Sequence, residues 1–172
     1  MPIYALGDYE PDIHPDAFVM PEAIIIGRVT IGAEASIWSG AVLRGDDNDI
    51  FVGAGSSVQD NAVLHVTEEW STTVGERCTI GHLAHIEGGV VHDEALVGTG
   101  AIVLHDAEIG ERALVGAGAV VPGGMKVPPG TIAAGTPAKI REGVDTVPLI
   151  LPGVQNYLDR RVRYMGELRR LD

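Results

Sequence analysis

The chain has 172 residues, 45 % of them hydrophobic but only 5 % aromatic, and carries a formal net charge of −12. That length suits a single domain with a narrow aliphatic core, and the acidic excess argues against a nucleic-acid partner, because neutralising phosphates takes clustered Lys and Arg. No apolar run approaches the ~20 residues of a membrane span and nothing resembles a signal peptide, so the expectation is a cytoplasmic protein with no membrane partner.

Residues 1–12 precede any repeat and are expected to cap its first rung, since the open end of a coiled sheet exposes unpaired strand edges. From Ile13 a Val, Ile or Leu returns every six residues, at Val19, Ile25, Ile31, Ile37 and Leu43, then at Val52, Val58 and Leu64. After a break the pattern resumes at Val74, Ile80 and Ile86, steps by five to Val91, and continues to Val127. A small residue such as Ala35, Ala62, Ala84 or Ala101 often stands two places earlier, and a glycine such as Gly81 or Gly98 often follows. A period of six drifts around a 3.6-residue helical turn, but it accommodates two-residue strand repeats with a corner added. Residues 13–140 therefore read as an all-β solenoid, with three hexads to a coil and coils roughly 4.8 Å apart, so that residues one coil apart stack in rows.

The repeat is interrupted twice, at Arg44–Phe51 and at His65–Thr73, and loops inserted into a regular solenoid tend to carry function. Cys78, the only cysteine, falls at a small-residue core position and reads as packing. After Val127, PPGTIAAGTPAK turns the chain out of the solenoid. Residues 141–172 are expected to form a turn and a C-terminal helix, with Val154, Leu158, Val162, Met165 and Leu168 as an apolar stripe over 154–171 that packs on the prism.

The register also sorts the polar residues. Arg44, His65 and Glu87 each follow an inward aliphatic residue and fall in one row on successive coils, with the Cα atoms of His65 and Glu87 about 5 Å apart. His82 lies on the preceding face, where it is placed to meet the row of a neighbouring subunit. Two imidazoles and a carboxylate are a ligand set for zinc or ferrous iron that leaves positions open to water. His85, three residues beyond His82, is a possible substitute ligand, but it immediately precedes the inward Ile86, which disfavours a direct shift of ligand, and it reads as a surface or interface residue. His14, His92 and His105 read as structural.

WSGAVLRGD (38–46), VQDNAVLH (58–65), IGH (80–82) and GTPAK (135–139) together resemble the γ-class carbonic anhydrases and their relatives. The resemblance implies a left-handed parallel β-helix of hexapeptide repeats, a homotrimer, one zinc or iron ion at each subunit interface, and reversible hydration of a small-molecule substrate, carbon dioxide. His65 and His82 match two of the family's three ligand histidines, whereas Glu87 stands where the third is usual. The implied set is His65, His82 and Glu87, and the alternative is a lost metal site with Glu87 solvated.

By the same resemblance Arg44 and Asp46 support the subunit interface, Gln59 orients the reacting water and Asp60 orients a ligand histidine. Asp47 and Glu68 stand where acids carry protons, and Tyr157 matches a tyrosine lining the pocket; Glu69 reads as solvated. Glu in place of a neutral His predicts weaker hydration, or hydration moved to higher pH. Two other classes share the repeat: an acyltransferase or acyl-CoA thioesterase, and a noncatalytic trimeric scaffold.

Overall fold

The computed structural model describes residues 2–172; Met1, the first residue of the expected cap, lies outside them. The hexads wind into a left-handed parallel β-helix of about seven turns, followed by one helix. Each coil contributes one short strand to each of three faces. On the first face Ile24–Ile31, Val42–Val52, Val63–His65, His85–Glu87, Ile102–Val103 and Val120–Val121 stack in parallel. On another, Phe18–Val19, Ser36–Ile37, Ser57–Val58, Thr79–Ile80, Leu96–Val97, Leu114–Val115 and Ile132–Ala134 do the same. At the open end Ile3–Tyr4 runs parallel to Ile25–Ile26.

The alternation of each strand turns one aliphatic side chain inward per rung. Ile25, Leu43, Leu64, Ile86, Val103 and Val121 form such a row and are all 0 % exposed. The alanines two places earlier are equally buried, because the prism narrows at its corners and leaves room for a methyl group only. Cys78 occupies one of these places at 1 % exposure, and burial pushes its thiol up to about 12.

Glycine after the inward residue answers a close approach between coils. A Cβ built on Gly81 would lie 2.7 Å from the Thr99 backbone nitrogen and 2.9 Å from the Gly98 carbonyl carbon. Gly81→Ala is therefore expected to destabilise the protein by about 1–3 kcal/mol, seen as a lower denaturant midpoint, because backbone must move to admit the methyl group. An unchanged midpoint would show that the coils can separate at this corner.

The remaining corners are decorated in rows. Arg77, Glu94 and Arg112 stack one above another, with Glu94 accepting from Arg112 Nε at 2.6 Å and from Arg77 Nε at 3.4 Å. The Arg112 bond leads the causes that hold the Glu94 carboxyl below its ordinary value. A lowered folded pKa adds stability that is present above the unfolded value, ~4.5, and is lost as pH falls through the folded one. The stability gap between the parent and Glu94→Gln is thus expected to hold above about pH 5 and to shrink below that value. A gap that stays constant down to pH 3 would rule this contribution out.

Two elements differ from the expectation. The first interruption is not an inserted loop: Val42–Val52 is one extended strand that carries the chain around a corner. Gly27 pairs with Gly45 and Val29 with Ile50, so Asp46 to Asp49 bulge opposite Arg28 alone. The helix spans Val147–Glu167 rather than 154–171, because Pro148 fits a first helical turn and burial of Ile150 holds that turn down despite Pro152.

Its inward stripe is also rotated. Val162, Met165 and Leu168 are exposed, whereas Ile150, Val154 and Arg161 are buried. The aromatic rings set the rotation: Tyr157 and Tyr164 pack edge-on against Trp38, and Tyr164 against Phe18. Arg161 donates to the Asp16 carbonyl at 2.7 Å and reaches Glu34 at 3.2 Å. Among the described residues no helix is long and apolar enough to cross a membrane.

Candidate metal centre

Parallel pairing brings Arg44, His65 and Glu87 into one outward row on successive coils, as Arg44 opposite His65 and His65 opposite Glu87. His65 Nδ1 faces Glu87 Oε2 at 3.5 Å, and its other nitrogen, Nε2, meets Asp46 Oδ1 at 3.1 Å. Asp46 also pairs with Arg44 of the same chain. Burial alone would raise the Asp46 carboxyl, but its backbone bond, Arg44 and His65 outweigh that and hold it low. Asp46 and Glu87 thus stand at opposite nitrogens of the His65 ring, the arrangement in which a carboxylate orients an imidazole.

His82 is arranged in the same way on a different corner. Its Nδ1 lies 2.8 Å from Asp60 Oδ2, and its Nε2 points to the Tyr157 hydroxyl at 3.4 Å. Burial pushes the Tyr157 phenol up, so it remains a neutral donor. Gln59, beside Asp60, is 5 % exposed. Among the described residues no hydrogen bond or ion pair joins His82 to His65 or Glu87, and no three His, Cys, Asp or Glu side chains of one chain are already gathered as a metal-holding set. The donors are divided between two corners of the prism.

Asp47 and Glu68 are both exposed beside this row. Asn48, which sequence reasoning missed, bolts their segments together: its amide donates to the Glu68 carbonyl at 3.4 Å, and its oxygen accepts from Ser71 Oγ at 2.7 Å. Its place among four successive polar residues hides that role in sequence. His85 shares the outward face of its strand with Glu87. His105 stacks on Trp70 with ring centroids 5.1 Å apart, and His14 accepts from the Asp16 amide. A separate cleft of about 420 Å³ involves His92, Glu108, Lys126 and Pro128 and shares no residue with this row; its lysine is neutralised by Glu108 at 2.8 Å.

The donor chemistry fits a divalent metal. Two imidazoles, each with a carboxylate beside one ring nitrogen, and one further carboxylate are an ordinary donor set for zinc or ferrous iron. The 3.5 Å between His65 Nδ1 and Glu87 Oε2 also matches the ~3.4 Å between two donors held ~2.1 Å from one tetrahedral ion.

Fold and row together define a hexapeptide-repeat β-solenoid. The bacterial transferase hexapeptide family (six repeats) matches residues 10–45 and 89–123. A mitochondrial γ carbonic anhydrase 2 of Arabidopsis thaliana is 38 % identical over 88 % of this chain and 58 % of its own length. The carnitine operon protein CaiE of Escherichia coli K12 is 38 % identical over 81 % of this chain and 71 % of its own. A Bacillus cereus structure described as a putative acetyltransferase is 33 % identical, with a TM-score of 0.93 over 96 % of this chain and 98 % of that one. The chain belongs to the γ-carbonic-anhydrase-like family of hexapeptide-repeat proteins, and it spans little more than half the length of the plant member.

Proposed function

We propose that the chain forms a cytoplasmic homotrimer that binds one zinc or iron ion at each subunit boundary and hydrates carbon dioxide reversibly there. His65 and Glu87 of one copy and His82 of the next would hold the ion. One observation carries the reading: each of the two histidines has a carboxylate beside one nitrogen, Asp46 at His65 and Asp60 at His82, which leaves the opposite nitrogen facing Glu87 and the Tyr157 hydroxyl respectively. The division of these donors between two corners supports a site completed by a second copy. So does the half-buried aliphatic row of Ile24, Val42, Val63, Ile102 and Val120 on the same face, a surface suited to burial between copies.

A divalent ion bound at this place would supply the Lewis acidity that brings the pKa of water toward 7. The chain's own residues would do the rest. Gln59 orients the attacking water, and Arg44 holds Asp46 ionised so that His65 keeps its tautomer. Asp47 and Glu68, exposed and tied together through Asn48, pass the released proton to solvent. Tyr157 closes the wall beside His82.

Metal content per chain, measured on protein purified without oxygen beside Glu87→Ala, tests the reading. About one ion per chain, reduced by the substitution, is expected. A metal-free parent after supply of zinc and ferrous iron would overturn it. A second reading, acyl transfer from an acyl-CoA, draws support from the description of the Bacillus cereus relative. Acyl-CoA turnover by metal-free protein would favour it over hydration.

A further inference from the structure

Two places before the site row, the outward positions read Ile24, Val42, Val63, His85, Ile102 and Val120 through successive parallel pairings. Five are aliphatic. The single imidazole falls in the one coil whose site position holds Glu87. Packing gives no reason for it, because Val63 and Ile102 fill the same place in the coils on either side.

Strand alternation sets His85 and Glu87 on the same outward face, with Ile86 between them turned inward at 0 % exposure. His85 Nε2 lies 3.6 Å from Glu87 Oε2, and His65 Nδ1 lies 3.5 Å from the same oxygen. Both separations exceed the 2.7–3.2 Å usual for such hydrogen bonds, so the two imidazoles face one carboxylate oxygen without bonding to it. The His85 side chain is 36 % exposed at this outward position.

We infer that His85 is a further metal ligand, restoring from position 85 the imidazole that Glu87 displaces at position 87. This rests on the metal reading above and deepens it. The donor set becomes His65, His85 and Glu87 from one chain with His82 from the next. Four protein donors close a tetrahedral zinc centre, whereas a six-coordinate ion keeps two positions for water and substrate. The class of metal that fits an open centre here is therefore an ion that accepts six ligands, such as ferrous iron or Co²⁺, in preference to zinc.

The test is titration of the full chain with Co²⁺, following the visible absorption band and the heat of binding. The parent, His65→Ala, His85→Val and the double variant His85→Val/Glu87→His are compared. Valine repeats the residue found one coil away, so His85→Val is expected to keep the fold, checked by its circular dichroism and thermal midpoint. The expected result is a Kd at least ~10-fold weaker for His85→Val, with a stronger absorption band as the coordination number falls. The double variant recovers affinity and keeps the stronger band. A parent that binds Co²⁺ while His85→Val matches it in Kd and spectrum overturns the role of His85 alone, provided His65→Ala loses binding. A parent that binds no Co²⁺ overturns this role and the metal reading together.

Discussion

Glu87→His is expected to raise the rate of carbon dioxide hydration at neutral pH and to move the rise of its pH profile downward. Replacing a carboxylate by a neutral imidazole makes the centre one unit more positive, and the water that attacks carbon dioxide then ionises at lower pH. A displacement of one pH unit corresponds to a ~10-fold larger reactive fraction on the acidic limb, which is the gain expected near pH 7. Strand geometry favours a clean exchange: position 87 lies opposite His65 and is partly exposed, so an imidazole fits without repacking the core. Stopped-flow hydration assays across pH 6 to 9 on metal-matched samples measure the effect. Equal metal content with an unmoved profile would remove Glu87 from the explanation of this chain's rate.

His65→Ala and His82→Ala trimers are each expected to lose essentially all metal and all hydration, and to regain activity when unfolded and refolded together. If each centre takes His65 from one subunit and His82 from the next, every mixed trimer contains one intact centre among its three boundaries. Random mixing of equal amounts then restores about a quarter of the parent's sites, with metal recovered in the same proportion. A centre built within a single chain gives no recovery, because neither variant holds a full ligand set. Refolding each variant by itself provides the baseline.

The hexad announced the solenoid because its period matches a strand plus a corner, and because the inward row at Leu43, Leu64 and Ile86 is unbroken. The same count set Arg44, His65 and Glu87 in register, since row membership depends on position alone. What depended on conformation was hidden. The Asp46–Asp49 bulge arises from pairing with Arg28, which lies in the preceding coil and leaves no local mark. The helix stripe was misjudged because hydropathy ranks Val162 and Met165 above tyrosine, while Trp38 and Phe18 offered rings for Tyr157 and Tyr164 to meet. The outward place of His85 beside Glu87 follows from simple alternation and was legible in the sequence.

A stack of coils touches mainly its nearest neighbours, so it behaves as a one-dimensional array that can fray from either end. The Arg161 bond to the Asp16 carbonyl, 145 residues back along the chain, changes this boundary condition. The last element of the sequence lies across its first coils, and unzipping from the amino-terminal end has to break that clasp as well as the first rung. Slow hydrogen exchange is accordingly expected in the opening coils, which in an unclasped array would exchange first.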